Sequence, residues 1–143
     1  MKYIIIPARG GSKGILDKNI QKVAGIPLVS WSIIHAKYIS NEEDKIIVSS
    51  DSDKILNLAK KYNVIGIKRP KYLSGDKVFT EPVMEHVLSK FNPDKNDLVI
   101  LLQPTSPLRK KITLNETLRV VESNEADSSL TLKKQHLFFW KEA

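Results

Sequence analysis

The 143-residue sequence contains no cysteine, which excludes disulfide frameworks and thiolate zinc sites alike. Long apolar runs are also missing: no hydrophobic stretch approaches the ~20 residues of a membrane-spanning helix. The first residues lead directly into a short strand rather than a secretory leader. The expectation is a cytoplasmic protein with no membrane partner. Aromatic residues are scarce at 7%, and Trp31, Phe79, Phe91 and Trp140 do not interleave with the lysines as a stacking platform for nucleic acid would. Acidic residues are outnumbered, 16 against 23 basic ones, for a formal charge of +7. Such an excess suits acidic ligands, while the scatter of the lysines argues against a nucleic-acid partner. His35, His86 and His136 show no metal-ligand spacing and no nucleophile partner, and are read as structural.

What is present is enough for one domain, since a 41% hydrophobic share over this length can bury a core. Repeats and low-complexity tracts are absent. The hydrophobic pattern alternates between short β-branched runs and helical periodicities. Ile4 to Ile6 reads as a buried strand. A turn at Gly25 and a proline at Pro27 precede a helix whose Leu28, Trp31, Ile34 and Tyr38 share one face. Lys45 to Ser49 is a second strand. Asp51 or Ser52 caps a helix striped by Ile55, Leu58, Ala59 and Tyr62, and Val64 to Lys68 is a third strand. A polar loop from Arg69 to Phe79 leads to a helix capped by Thr80, with Val83, Val87, Leu88 and Phe91 inward. Asp97 to Leu102 is an unbroken apolar run, the pattern of a central strand covered on both faces. Gln103 to Arg109 is a proline-punctuated loop, Thr113 and Glu116 form a capping box for a helix ending near Ser123, and Ser128 to Leu132 reads as a further strand. Strands alternating with helices imply an α/β fold with a mainly parallel sheet.

Three of the six glycines, Gly10, Gly11 and Gly14, crowd into the loop after the first strand, together with Arg9, Lys13 and Lys18. Ser12 and Asn19 add polar side chains. Glycines admit close backbone approach, and N–H groups among lysines and arginines suit a polyanion such as a triphosphate. The spacing matches neither the P-loop nor G-x-G-x-x-G, and a solvated turn would explain the glycines, though not the three cations among them. The loops beginning at Pro7, Arg69 and Gln103 all follow strands. In an open parallel sheet such loops converge on one crevice.

The run Pro7-Ala8-Arg9-Gly10-Gly11-Ser12-Lys13-Gly14 with Lys18-Asn19, then Arg69-Pro70, then Leu101-Leu102-Gln103-Pro104-Thr105-Ser106-Pro107-Leu108-Arg109, resembles the acylneuraminate cytidylyltransferase (CMP-sialic acid synthetase) family. The likeness spans nearly the whole chain. It implies a Rossmann-like three-layer domain of the nucleotide-diphospho-sugar transferase type over residues 1–132, with 133–143 opening a dimerisation segment cut short. It also implies a nucleotidyltransferase that joins CTP to an acidic nine-carbon sugar and releases pyrophosphate, with Mg²⁺ whose protein ligands lie largely outside this chain, and a homodimer in the complete protein. By the same resemblance Arg9 and Lys18 contact the triphosphate with Lys13 in the same field, Ser12 and Asn19 add hydrogen bonds, and the backbone of Ala8, Gly10 and Gly11 lines the nucleotide. Arg69 and Thr80 match positions beside the cytosine, and Gln103 matches a glutamine that reaches toward the acceptor sugar; Arg9, Lys18 and Gln103 are the catalytic candidates. Leu16-Asp17 departs from the family pattern, where a proline and a basic residue are frequent, and Asp17 is read as a turn or capping residue. Two rivals remain: a CMP-Kdo synthetase-like enzyme, whose family usually carries an acidic residue in the Gln103 loop, and a nucleotide-binding module without turnover. A chain without its later segments is expected to turn over little substrate.

Overall fold

The computed structural model describes residues 1–11 and 14–132. Ser12, Lys13 and the expected dimerisation segment at 133–143 lie outside the described residues. The chain divides into two compact units, Met1–Arg109 and Lys110–Ala143, so the division falls inside the expected 1–132 domain.

The first unit is built on four parallel strands: β1 (Lys2–Pro7), β4 (Lys45–Ser50), β5 (Ile65–Lys68) and β6 (Leu98–Leu101). Their order is β5-β4-β1-β6. The chain thus winds outward from β1 to β5 and returns past β1 to β6, reversing direction at β1. Ile4, Ile5 and Ile6 are fully buried in β1, as are Ile47 and Val48 in β4, because both faces of the sheet are covered by helices. Tyr3, Ile5 and Ile47 pack with Val87 of α3 (Thr80–Leu88) on one face, joined by Ile67, Met84, Leu88 and Phe91. Ile67 lies on that face, so its neighbour Gly66 points to the other. There a Cβ on Gly66 would come within 3.2 Å of Leu56 Cδ2 in α2 (Asp53–Lys61). Helix α1 (Leu28–Ile39) touches α2 and both central strands, which completes three layers: α3, sheet, and α1 with α2.

Between β1 and α1 the chain makes a small hairpin of β2 (Lys22–Val23) and β3 (Ile26–Pro27). Its turn takes Ala24 and Gly25 to φ of 50° and 80°, the pair of left-handed residues that a tight hairpin needs. Trp31 donates its indole N–H to the Val23 carbonyl at 2.9 Å, tying helix to hairpin. The expected face of α1 is therefore corrected. Its buried residues are Leu28, Val29, Ser30, Ser32, Ile33, His35, Ala36 and Ile39, while Tyr38 is exposed. Small polar and apolar residues both go inward because the helix is pressed against sheet and α2 at once.

Several cap assignments are also corrected. Thr80 is the first residue of α3 rather than its cap, and Phe79 precedes it with no side-chain cap bond. Of the two candidates for α2, Ser52 holds the cap position, without a side-chain cap bond, and Asp51 accepts the Gly10 N–H instead. β6 is an edge strand in the described sheet, with Val99 39% exposed, not the central strand its apolar run suggests.

The second unit is described through α4 (Lys111–Glu122) and the segment after it. Thr113 and Glu116 form no capping box: Lys110 precedes the helix, and the Thr113 carbonyl accepts the Thr117 hydroxyl at 2.7 Å. Asn124 turns the chain at φ 57°, and the Ser129 hydroxyl donates to the Thr117 carbonyl at 2.7 Å. Residues 128–132 form no strand, and Leu130 and Leu132 are largely exposed. With those side chains unburied, β-propensity alone does not make a strand.

Candidate active site

Each parallel strand of the first unit ends at the same sheet edge, and the loops that leave β1, β5 and β6 enclose a cleft of about 220 Å³. It gathers six of the predicted residues: Arg9 and, further along the same loop, Lys18 and Asn19; Arg69 and Thr80 from either end of the β5–α3 connection; and Gln103 from the loop after β6. Leu73, Val78, Phe79 and Val83 supply its apolar wall. Cations, polar hands and an apolar wall in one concavity suit a ligand with a charged end and a flat, less polar end.

The glycine loop is held from within. Ala8 is fully buried, and its N–H continues the β ladder by donating to the Ser49 carbonyl at 3.0 Å. Gly10 donates its N–H to Asp51 Oδ1 at 2.8 Å, and a Cβ there would meet Ser52 Cβ at 3.1 Å. Two backbone donors expected to face the nucleotide are thus committed to the protein. Gly11 is exposed and stands clear of other atoms. Asn19 is buried and donates to the Arg9 carbonyl at 2.8 Å, so it fixes the loop's return. Asp17, left-handed at φ 52°, precedes the 3₁₀ turn Lys18–Ile20 and pairs with Lys54 at 3.3 Å. It serves as a turn residue, with its charge directed to α2.

Arg69 is 6% exposed, which removes the alternative of a mere surface charge. It donates from Nη2 to the Ser49 carbonyl at 2.7 Å and from Nε to the Ser49 hydroxyl at 3.2 Å. Burial pushes its pKa below the usual arginine value, Asp51 opposes that shift, and Arg9 adds to it. An arginine stays charged through such shifts. The cleft floor is therefore a fixed positive charge. Arg9 pairs with Asp76 at 2.5 Å, a partner that sequence spacing could not reveal because the two residues sit on loops far apart in the chain.

Thr80 leaves its hydroxyl free of capping and available at the cleft wall. Gln103 is exposed, with its carbonyl accepting from Arg109 Nη2 at 2.5 Å and from the Ser106 N–H at 3.3 Å. Arg109 also donates from Nη1 to the Ser32 hydroxyl at 3.3 Å, and burial lowers its pKa. It clamps the ends of the Gln103 loop and ties them to α1, a role the sequence reading did not assign. Among the described residues no group of three or more His, Asp or Glu could hold a metal ion. Among the described residues Asp76 is the one carboxylate lining the cleft, and it is paired with Arg9. These donors do not fit a protein-held magnesium site.

The first unit is a three-layer α/β domain with a parallel four-stranded sheet and a cleft at its strand ends. Its architecture matches that of a solved CMP:2-keto-3-deoxy-manno-octonic acid synthetase complexed with CTP, with a TM-score of 0.67 at 19% identity over 87% of this chain and 48% of that one. The chain belongs to the cytidylyltransferase family, whose model matches residues 3–138. It is 33% identical over 138 residues to the N-acylneuraminate cytidylyltransferase of Oncorhynchus mykiss, covering 96% of this chain and 31% of that protein. Similarity extends to the N-acylneuraminate cytidylyltransferase of Escherichia coli O18:K1:H7, 34% over 121 residues, covering 85% of this chain and 28% of that protein. The post-translational flagellin modification protein B of Campylobacter coli is 33% identical over 130 residues, covering 88% of this chain and 55% of that protein. The chain thus spans about a third to a half of the length of the curated relatives it matches.

Proposed function

We propose that this chain carries the nucleotide site of an enzyme that activates a sialic-type (nonulosonic) acid with CTP, giving a CMP-sugar and pyrophosphate. The observation that carries this reading is the convergence of Arg9, Lys18, Asn19, Arg69, Thr80 and Gln103 on one cleft. Named relatives along nearly the whole chain support the sialic-type acceptor. The reading includes the cytoplasmic setting expected from the sequence and, from the family resemblance, a homodimer for the full-length protein.

In this reaction a sugar hydroxyl attacks the α-phosphorus of CTP, and the bond from that phosphorus to pyrophosphate breaks. Negative charge grows on the departing pyrophosphate, so fixed cations contribute more than a strong base. Arg9 and Lys18 supply them at the cleft wall. Arg69, immobilised on Ser49, and the Thr80 hydroxyl recognise the cytosine end. The Gln103 carboxamide, able both to donate and to accept, orients the acceptor without adding the negative charge an acidic residue would bring. Magnesium, which neutralises triphosphates in such chemistry, has no described protein ligands here, and each of these roles stands without it.

The reading is tested by binding and turnover together. CTP should raise the melting temperature more than ATP, GTP or UTP through ligand linkage, and turnover with CTP should favour nonulosonic acids over Kdo. Equal shifts with all four nucleotides would sink the cytosine assignment. A preference for Kdo would move the chain to the rival enzyme class, and CTP binding without product from any acid would favour a binding module.

A further inference from the structure

Arg9 leaves the end of β1 and Asp76 belongs to the β5–α3 loop, yet Arg9 Nη1 and Asp76 Oδ1 meet at 2.5 Å. Both residues line the cleft, with 31% and 34% of their side chains exposed. The pair therefore faces the space a phosphate chain would fill. The loop is shaped to present the carboxylate there. Ser74 donates its hydroxyl to the Pro70 carbonyl at 3.1 Å, and the Val78 N–H donates to the Gly75 carbonyl at 3.2 Å, closing a turn with Asp76 near its tip. Lys18 makes no ion pair among the described residues. Of the described cations that line the cleft, an arriving polyanion meets Lys18 open, Arg69 held on Ser49, and Arg9 already neutralised.

We propose that Asp76 is a built-in counter-anion that competes with the ligand's phosphates for Arg9 and so sets how tightly the cleft holds a polyphosphate. The inference rests on the nucleotide-site reading above. A guanidinium fork satisfies one carboxylate or one phosphate well, so the ligand must either displace Asp76 or share Arg9 with a like charge beside it. Either route lowers affinity. The cost is modest, because a partly exposed ion pair is weakly held, and Lys18 can engage the phosphates before the exchange. The same exchange run backwards, with Asp76 reclaiming Arg9, assists departure of pyrophosphate.

The test is calorimetric titration of CTP, pyrophosphate and cytidine into the wild type, Asp76→Asn, Asp76→Ser, Arg9→Ala and the double variant Arg9→Ala with Asp76→Asn. Removing the carboxylate should tighten CTP and pyrophosphate by roughly 3- to 10-fold, the scale of a partly exposed charge pair, and leave cytidine unmoved. In the Arg9→Ala background the gain should largely vanish. Unchanged or weaker polyphosphate binding by both Asp76 variants would overturn the proposal, as would an equal gain without Arg9 or an equal gain for cytidine. CTP binding no better than pyrophosphate would count against the cytidylyltransferase reading, while the pyrophosphate titration still decides the role of Asp76. If neither anion binds the wild type, both fall.

Discussion

Arg69 holds the end of β4 through Ser49, taking its carbonyl at 2.7 Å and its hydroxyl at 3.2 Å from one buried guanidinium. The same side chain lines the cleft, so framework and ligand site share a residue. Because the Arg69 N–H also donates to the Ser50 carbonyl at 2.7 Å, the chain leaves the sheet in a fixed direction.

Arg69→Ala is accordingly expected to lower stability as well as CTP affinity. It strips partners from a fully buried serine, a loss on the order of 1–3 kcal/mol. Arg69→Lys keeps the charge but cannot reproduce the two-atom grip, and should recover only part of either property. Denaturant melts alongside CTP titration check this. A variant that loses CTP affinity with unchanged stability would show that the bonds to Ser49 contribute nothing to the fold.

The three glycines of the first loop should separate sharply. At Gly10 a Cβ would press on Ser52 Cβ at 3.1 Å, beside the Asp51 carboxylate that accepts the Gly10 N–H. Gly10→Ala should therefore push the loop and Ser52 apart, cost about 1 kcal/mol or more through overpacking, and weaken CTP binding as the loop shifts. Gly11 and Gly14 have nothing within 4 Å of such a Cβ, and alanine at either should stay within about 0.5 kcal/mol of the wild type. Equal effects at all three positions would mean that the loop needs glycine for flexibility rather than for the approach to Ser52.

The parts of this fold that sequence patterns revealed are those governed by local chemistry. Ile4 to Ile6 and Lys45 to Ser49 are β-branched runs, and both are strands of the parallel sheet. The rule that loops after parallel strands share one edge brings Arg9, Arg69 and Gln103 together, and all three line the cleft. Misreadings arose where tertiary partners override local preference. Trp31 and Tyr38 marked the wrong side of α1, whose inward face includes Ser30, Ser32 and Ala36, since close packing favours small residues over the most hydrophobic ones. Asp51, a plausible cap by position, is engaged by Gly10 instead. The apolar run at β6 gives no sign of its edge position in the described sheet, because strand order is set by pairings between distant segments. The Arg9–Asp76 pair was illegible for the same reason.

Arg109 offers the last test, because its grip on the Gln103 loop separates loop geometry from ligand contact. Its Nη2 donates to the Gln103 carbonyl at 2.5 Å and its Nη1 to the Ser32 hydroxyl at 3.3 Å, while Arg109 itself does not line the cleft. The Gln103 carbonyl also accepts the Ser106 N–H, so the loop closes on its own first residue. Removing the guanidinium should open that closure. Arg109→Ala is expected to lose about 1–3 kcal/mol, the range for a hydrogen bond to a charged group together with a buried hydroxyl left unpaired. Amide exchange at residues 103–109 should accelerate, while β1 and β4 stay protected. CTP affinity should change little, since Arg9, Lys18 and Arg69 keep their own supports, whereas any turnover should show a raised KM for the acid as Gln103 loses its placement. A fall in CTP affinity as large as that for Arg69→Ala would show instead that the Gln103 loop holds the nucleotide end of the cleft.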